Sequence, residues 1–436
     1  MWSNNQMMLA VTILVISYVL LFTEKLNRAV VAILGTVLMI FAGILTQESA
    51  IAAIDFNTLA LLIGMMTIVG IGEKSGMFQF VAIWSAQKVG GNPRLLLAVM
   101  AVITAVFSAF LDNVTTVLLM VPIILQVTKK LEVNPYPFLI MAILASNIGG
   151  TATLIGDPPN ILIGSALNLS FMDFIYNLTP IVAGVMVILL LALDLLWGRN
   201  LKTTPERRRL VLAMNAREAI SETDLMWKSL FMLIVVIIGF IVAEHVHIAN
   251  GTIAMGGAAI MLMLYTVGKD NHKRDHHIEE AFNLVDWTTI FFFAGLFALV
   301  FGLEQAGALA PLADMFINSA EGSTSRAAMI MLWLSAFGSA ILGNIPFVAT
   351  MIPLIKNVEE AFGGREAMMP IWWALSLGAC FGGNGSLIAA SANVIVAGMA
   401  NKEGIRISFM RFLIYAVPTM LISTALAAVY IYARYF

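Results

Sequence analysis

The sequence predicts an all-α polytopic membrane protein of two inverted-topology repeats, each with five spans, one re-entrant hairpin and a broken helix. Three observations predict it. First, 60% of the 436 residues are hydrophobic and 11% are charged, where a soluble domain carries about 25% charged residues. Second, apolar runs close to the roughly 20 residues a helix needs to cross the hydrocarbon core recur along the chain. They are continuous rather than alternating, which favours helices over a β-barrel. Third, the two halves match each other at a nearly constant offset.

Taken in order, full-length spans are expected near 8–23, 29–46, 57–73, 173–197, 229–243, 251–267, 287–303 and 411–433. The first run lacks a basic flank, and a second span comes shortly after Glu24-Lys25-Leu26-Asn27-Arg28, so it is read as a retained helix. Four stretches are less regular. Residues 95–128 break at Asp112-Asn113 and 326–356 at Gly343-Asn344; both are read as hairpins. Residues 137–166 contain Gly149-Gly150 and Gly156-Asp157-Pro158-Pro159, and 369–400 contain Gly382-Gly383-Asn384-Gly385; both are read as broken spans. With the N-terminus outside, 20 of the 24 Lys and Arg fall on the cytoplasmic side, Lys269, Lys273 and Arg274 among them. Only Arg326, Lys356, Arg365 and Arg434 fall outside. A cell (plasma or inner) membrane location is expected. The first repeat is placed at 1–198, a cytoplasmic linker with Arg207-Arg208-Arg209 at 199–228, and the second repeat at 229–436.

The repeat rests on matched residues. Asp55 pairs with Asp286, Gly64 with Gly295, Glu73 with Glu304, Gly76 with Gly307, Asn113 with Asn344 and Pro122 with Pro353, all 231 apart. The broken spans match at 233: Gly149-Gly150-Thr151 lies over Gly382-Gly383-Asn384, and Asn160 over Asn393. An odd number of crossings per half inserts the halves in opposite senses, with the cargo site at their interface near the bilayer midplane.

Irregular backbone at membrane depth is tolerable where it is buried in protein or lines a wet cavity. Glycine pairs break helices, and the half-helix ends leave amides and carbonyls facing the break. Thr151, Thr153, Asn160, Asn384, Ser386, Ser391 and Asn393 add neutral donors and acceptors. Small residues also aid helix packing, but two matched copies facing matched hairpin tips favour a functional reading. The acids belong to one half only: Asp112 and Asp157 match Gly343 and Ala390. An intramembrane carboxylate is a functional candidate by default, and Asp112, at the hairpin tip, is the first choice for carrying the coupling proton. Asp157 either joins it or caps the half-helix that starts at two prolines. Glu73 and Glu304 sit near span ends and read as interfacial. The lone Cys380 cannot form a multi-thiolate cage and reads as a small buried residue or one soft contact. The histidines, His245, His247, His272, His276 and His277, fall in loops. No nucleotide-binding loop, protease or hydrolase motif occurs, and no basic domain for nucleic acid, so an enzyme, a cofactor and a resident metal are not expected.

Leu111-Asp112-Asn113-Val114-Thr115-Thr116-Val117, Ser146-Asn147-Ile148-Gly149-Gly150-Thr151-Ala152-Thr153, Gly156-Asp157-Pro158-Pro159-Asn160 and Gly382-Gly383-Asn384-Gly385-Ser386 through Asn393 resemble the signatures of the ion transporter superfamily. The resemblance is greatest to the branch holding the ArsB arsenite pumps, the NhaD sodium–proton antiporters and the melanosomal P protein. It implies elevator-type alternating access and a homodimer, and leaves room for a separate ATPase partner. It also implies that Asn113 and Asn344 line the site with Thr151, Asn384 and Ser386. The full candidate cargo-binding set adds Thr115, Asn147, Thr153, Asn160, Cys380 and Asn393, with Asp112 and Asp157 for proton or cation coupling. Related dicarboxylate carriers have Ser-Asn-Thr at both hairpin tips; here stand Asp112-Asn113-Val114 and Gly343-Asn344-Ile345, which counts against a di- or tricarboxylate. The expected activity is proton-coupled export of arsenite or antimonite. The alternatives are sodium–proton antiport and an anion transporter or channel.

Overall fold

The computed structural model describes residues 4–23, 25–267 and 271–436, and all its regular elements are helical. Glu24 and Lys269 lie outside the described residues, as do the side chains of His272 and Lys273.

The first series runs α1 (Asn4–Thr23), α2 (Arg28–Phe41), α3 (Gln47–Ala52), α4 (Phe56–Lys74), α5 (Met77–Lys88), α6 (Pro93–Phe110), α7 (Asn113–Leu131), α8 (Tyr136–Gly150), α9 (Pro158–Leu167) and α10 (Phe171–Leu196). A short linker helix, α11 (Pro205–Leu212), leads to the second series. This runs α12 (Thr223–Val246), α13 (Asn250–Thr266), α14 (Asn271–Phe282), α15 (Trp287–Gln305), α16 (Ala310–Ala320), α17 (Thr324–Leu342), α18 (Asn344–Asn357), α19 (Arg365–Gly382), α20 (Ser391–Lys402) and α21 (Phe409–Tyr435). Each helix of the first series has a counterpart at the same place in the second.

Local chemistry sets the boundaries. Asp55 and Asp286 cap α4 and α15 by accepting from backbone amides, and Ser170 and Asp173 form a reciprocal capping box at α10. The chain breaks after Gly150 and resumes at the Pro158-Pro159 start of α9; in the second series it breaks after Gly382 and resumes at Ser391. Proline is tolerated at a helix start because no intrahelical partner needs its missing N–H.

Small residues set the packing. α4 runs along α13 and α15 along α2, so each series lends a helix to the other. A Cβ on Gly64 would come within 2.5 Å of the Ala254 backbone, and one on Gly295 within 2.8 Å of Ala32. α6 lies against α8, and α17 against α19 in the same way. Ser108 donates to Ser146 O at 2.6 Å and Ser339 to Ala379 O at 2.7 Å, the same bond in each series. The outer faces carry exposed Val15, Val187, Leu191, Ile234 and Ile414, which suits lipid.

Nine helices among the described residues are long and apolar enough to cross a membrane, and α6, α7 and α17 are three of them. At ~1.5 Å rise per residue, a hairpin arm approaches a full span, so length does not separate the two. The segment read as a linker, 199–228, includes the start of α12 at Thr223. It is also held down: Thr203 donates to Leu131 O at 2.6 Å, Arg208 to Gly90 O at 2.9 Å, and Arg207 pairs with Glu132.

Candidate functional site

The two breaks and the two hairpin tips converge on one buried group of amides. Asn147, at the end of α8, is its hub. Its Nδ2 donates to Asn384 Oδ1 and Asn393 Oδ1, both at 2.9 Å, and its Oδ1 accepts from Asn113 Nδ2 at 3.2 Å. Asn113 comes from the first hairpin tip, Asn384 from the second break and Asn393 from α20. The hub therefore ties both series together. Asn147, Asn160, Asn384 and Asn393 are all fully buried.

Asp157 completes the centre. It is also fully buried, and its Oδ1 accepts from Asn113 Nδ2 at 3.4 Å and from Asn344 Nδ2 at 3.1 Å. One carboxylate oxygen is thus held by both hairpin tips. Its Oδ2 has no hydrogen-bond partner among the described residues, and neither has Asn384 Nδ2. Asp157 stands before α9 but makes no capping bond to it. An unpaired carboxylate oxygen in a dry interior is unfavourable, which marks it as a place for a proton or a ligand.

Asp112, the first choice for the coupling proton, stands at the start of α7. It caps α7, accepting from Thr115 N at 2.9 Å and from Thr115 Oγ1 at 2.5 Å. Thr115 is thereby turned to Asp112 rather than to the amide hub. The cause is local: a threonine three residues after an acid at a helix start offers two donors to it.

The remaining candidates brace the breaks. Asn160 Nδ2 donates to Thr151 O at 3.0 Å and Thr153 O at 2.8 Å; Asn393 Nδ2 donates to Gly383 O at 2.8 Å and Ser386 O at 2.9 Å. Each asparagine thus closes the loop that precedes it. Thr153 donates to Ala109 O, Ser386 to Ala340 O at 2.6 Å, and Thr151 back to Asn147 O at 2.8 Å. Cys380 lies against the Asp157 carboxyl and donates to Asn160 Oδ1 at 3.7 Å. Ser376, which sequence reasoning passed over, donates to the same oxygen at 2.5 Å. It sits one turn before Cys380 on α19, a polar residue in an apolar run, but its matched residue is Ile143, so the repeat gave no signal. Among the described residues, no group of His, Cys, Asp and Glu could hold a metal ion.

Asn147→Ala would take the donor from two buried amide oxygens, Asn384 Oδ1 and Asn393 Oδ1, and leave Asn113 Nδ2 with Asp157 alone. Leaving buried amides unpaired costs about 1–3 kcal/mol each, so a clear drop in melting temperature and loss of transport are expected. A thermal melt of the purified protein beside a flux assay checks both.

The sequence profile described as "Citrate transporter" (CitMHS) matches residues 18–378. The chain belongs to this citrate transporter family. Proteins similar to the chain include an uncharacterized transporter of Mycobacterium tuberculosis H37Rv, 37% identical over 98% of each chain, and a 46 kDa membrane protein of Mycobacterium leprae, 36% identical over 98% of each. The P protein of Sus scrofa is 32% identical over 98% of this chain and 59% of its own length. The crystal structure of the Alcanivorax borkumensis YdaH transporter, described as having an unusual topology, shares the fold with a TM-score of 0.56, 15% identity, and coverage of 85% of this chain and 84% of that one. This CitMHS member is a multi-pass membrane transporter of the ion transporter superfamily.

Proposed function

We propose that the chain is a proton-coupled secondary transporter that exports a small neutral metalloid hydroxide, arsenite or antimonite, across the cell membrane. The observation that carries this reading is the make-up of the centre. Neutral amides and hydroxyls surround a single carboxylate, and among the described residues no Lys or Arg bonds to the amide hub or to Asp157. A neutral trihydroxide needs donors and acceptors of this kind and no counter-charge. A citrate would bring several negative charges against Asp157. Asp157 takes the role of proton carrier: its free Oδ2 accepts the proton, or an O–H of the cargo, and Asn384 Nδ2 is positioned to donate to a cargo oxygen. Asp112 keeps a structural role at the hairpin tip.

In the same reading the two series are inverted repeats. α6–α7 and α17–α18 are re-entrant hairpins, the N-terminus is outside, and the protein works as an elevator within a homodimer. The exchange of α4 and α15 between series supports a common scaffold. A second reading, sodium–proton antiport, draws on the same free Oδ2, which a small cation would occupy as readily as a proton does.

The test is made in proteoliposomes holding a pH-sensitive dye under an imposed proton gradient. Arsenite alone is expected to move protons. A response to sodium alone would replace the first reading by the second, and a response to citrate alone would sink both.

A further inference from the structure

Arg28 opens α2 and reaches across to two other helices. Its Nη1 donates to Ser391 Oγ at the start of α20, and its Nη2 to Thr289 Oγ1 on α15 at 3.0 Å. The guanidinium also lies 5.6 Å from the centre of the Phe292 ring. The Asp286 carboxylate pairs with the guanidinium at 3.8 Å and also accepts from the Thr289 hydroxyl and backbone amide.

A cavity of about 340 Å³ lies beside the second hairpin tip, lined by Arg28, Phe292, Gly343, Asn344 and Ser391 among others. Asp286 is not in its wall, so the positive member of the ion pair faces the cavity. Asn344 belongs both to this wall and to the centre, where it donates to Asp157. The cavity therefore ends one side chain away from the carboxylate.

The opposite end of α15 differs. There a cavity of about 490 Å³ is lined by Asp55, Glu304 and Lys356. Asp55 is the match of Asp286, yet among the described residues no arginine pairs with it. Ala32 against Gly295 corresponds to Ala254 against Gly64, which puts Asn250 in the place of Arg28. The guanidinium is thus a departure from the repeat, just as Asp157 is, and it reaches the residue next to Ala390, the match of Asp157.

We propose that Arg28 is the charge-selecting residue of the mouth beside the second hairpin tip. Its guanidinium face keeps inorganic cations out of that cavity and admits small neutral or anionic solutes. Low-dielectric walls focus the field of a fixed charge, so one cation in a narrow mouth changes the local concentration of charged solutes. The inference rests on reading the centre as a cargo site, since it makes this cavity the way in.

The experiment measures the field rather than the cargo, so that its failure and the failure of the arsenite reading are separable. Ile395→Cys, in the wall of the same cavity, is made in a Cys380→Ser background of the full chain and labelled with anionic and cationic methanethiosulfonates of similar size. Val394→Cys is the second reporter, should the first variant not fold. Arg28→Gln is expected to lower the anionic-to-cationic rate ratio about tenfold, and Arg28→Lys, which keeps the charge but not the fork of donors, to hold it within about twofold. A ratio unchanged in Arg28→Gln overturns the proposal. A collapse in both variants also overturns it, assigning Arg28 to bridging α2, α15 and α20 instead.

Discussion

Asp157→Asn is expected to bring proton-driven flux to background while leaving the protein folded. The geometry separates the two effects. An asparagine there keeps an Oδ1 that accepts from Asn113 and Asn344, at the 3.4 and 3.1 Å now seen. Its Nδ2 takes the place of an oxygen that has no partner among the described residues, so no hydrogen bond is lost. Replacing an intramembrane acid by a neutral amide also removes the part of its insertion cost that comes from charge. The melting temperature is therefore expected to hold or rise. What disappears is the group that can take up and release a proton. Cargo counterflow without a gradient is the control that the site still binds. Asp112→Asn is the contrast. Asparagine ranks with aspartate as a helix N-cap, so the bond to Thr115 N survives, and pH-driven flux is expected to continue. If Asp112→Asn uncouples transport and Asp157→Asn does not, the two acids exchange roles.

Those two acids also show where the sequence was readable and where it was not. The breaks at 151–157 and 383–390 were legible because Gly-Gly and Gly-Asp-Pro-Pro act on the backbone locally, whatever surrounds them. The pairs Asn113 with Asn344 and Asn160 with Asn393 were legible because a repeat that keeps amides in register has few reasons to do so other than a shared site, whereas Asn147 and Asn384 match Cys380 and Thr151 and were legible only as polar residues beside the glycine breaks. The direction of a carboxylate was not. Asp112 and Asp157 both precede a helix start in an apolar run, and the difference lies in the first turn of each helix. Thr115 offers a hydroxyl to the first acid, whereas Pro158 and Pro159 leave no backbone donor at those positions to the second. Ser376 and Arg28 lay outside the repeat logic altogether. Arg28 read as a loop charge because a count of cytoplasmic cations does not ask where a long side chain ends. The linker's attachment to α5 and α7 depends on tertiary contacts that composition does not encode.

The second large effect is expected from the smallest change. α6 and α8 approach so closely that a Cβ on Gly149 would fall 2.2 Å from Ala105 O and 2.4 Å from Ala105 Cα. In the second series a Cβ on Gly382 would meet Ala336 O at 2.5 Å. Both neighbours are backbone, so no side chain can rotate away and the helices must separate. Overpacking of a close contact costs typically about 1–3 kcal/mol, and Gly149→Ala is expected at or above the upper end. Separation would also stretch Ser108 to Ser146 O, now 2.6 Å, and shift Asn147 two residues away, so transport is lost with stability. Gly184→Ala on α10 is the control. A Cβ there meets nothing within 4 Å, and alanine favours a helix over glycine by up to about 1 kcal/mol. Thermal melts should place Gly149→Ala well below the wild type and Gly184→Ala at or slightly above it. A melt of Gly149→Ala within a degree of the wild type would mean that α6 and α8 do not hold this approach, and the amide hub built on their ends would have to be placed anew.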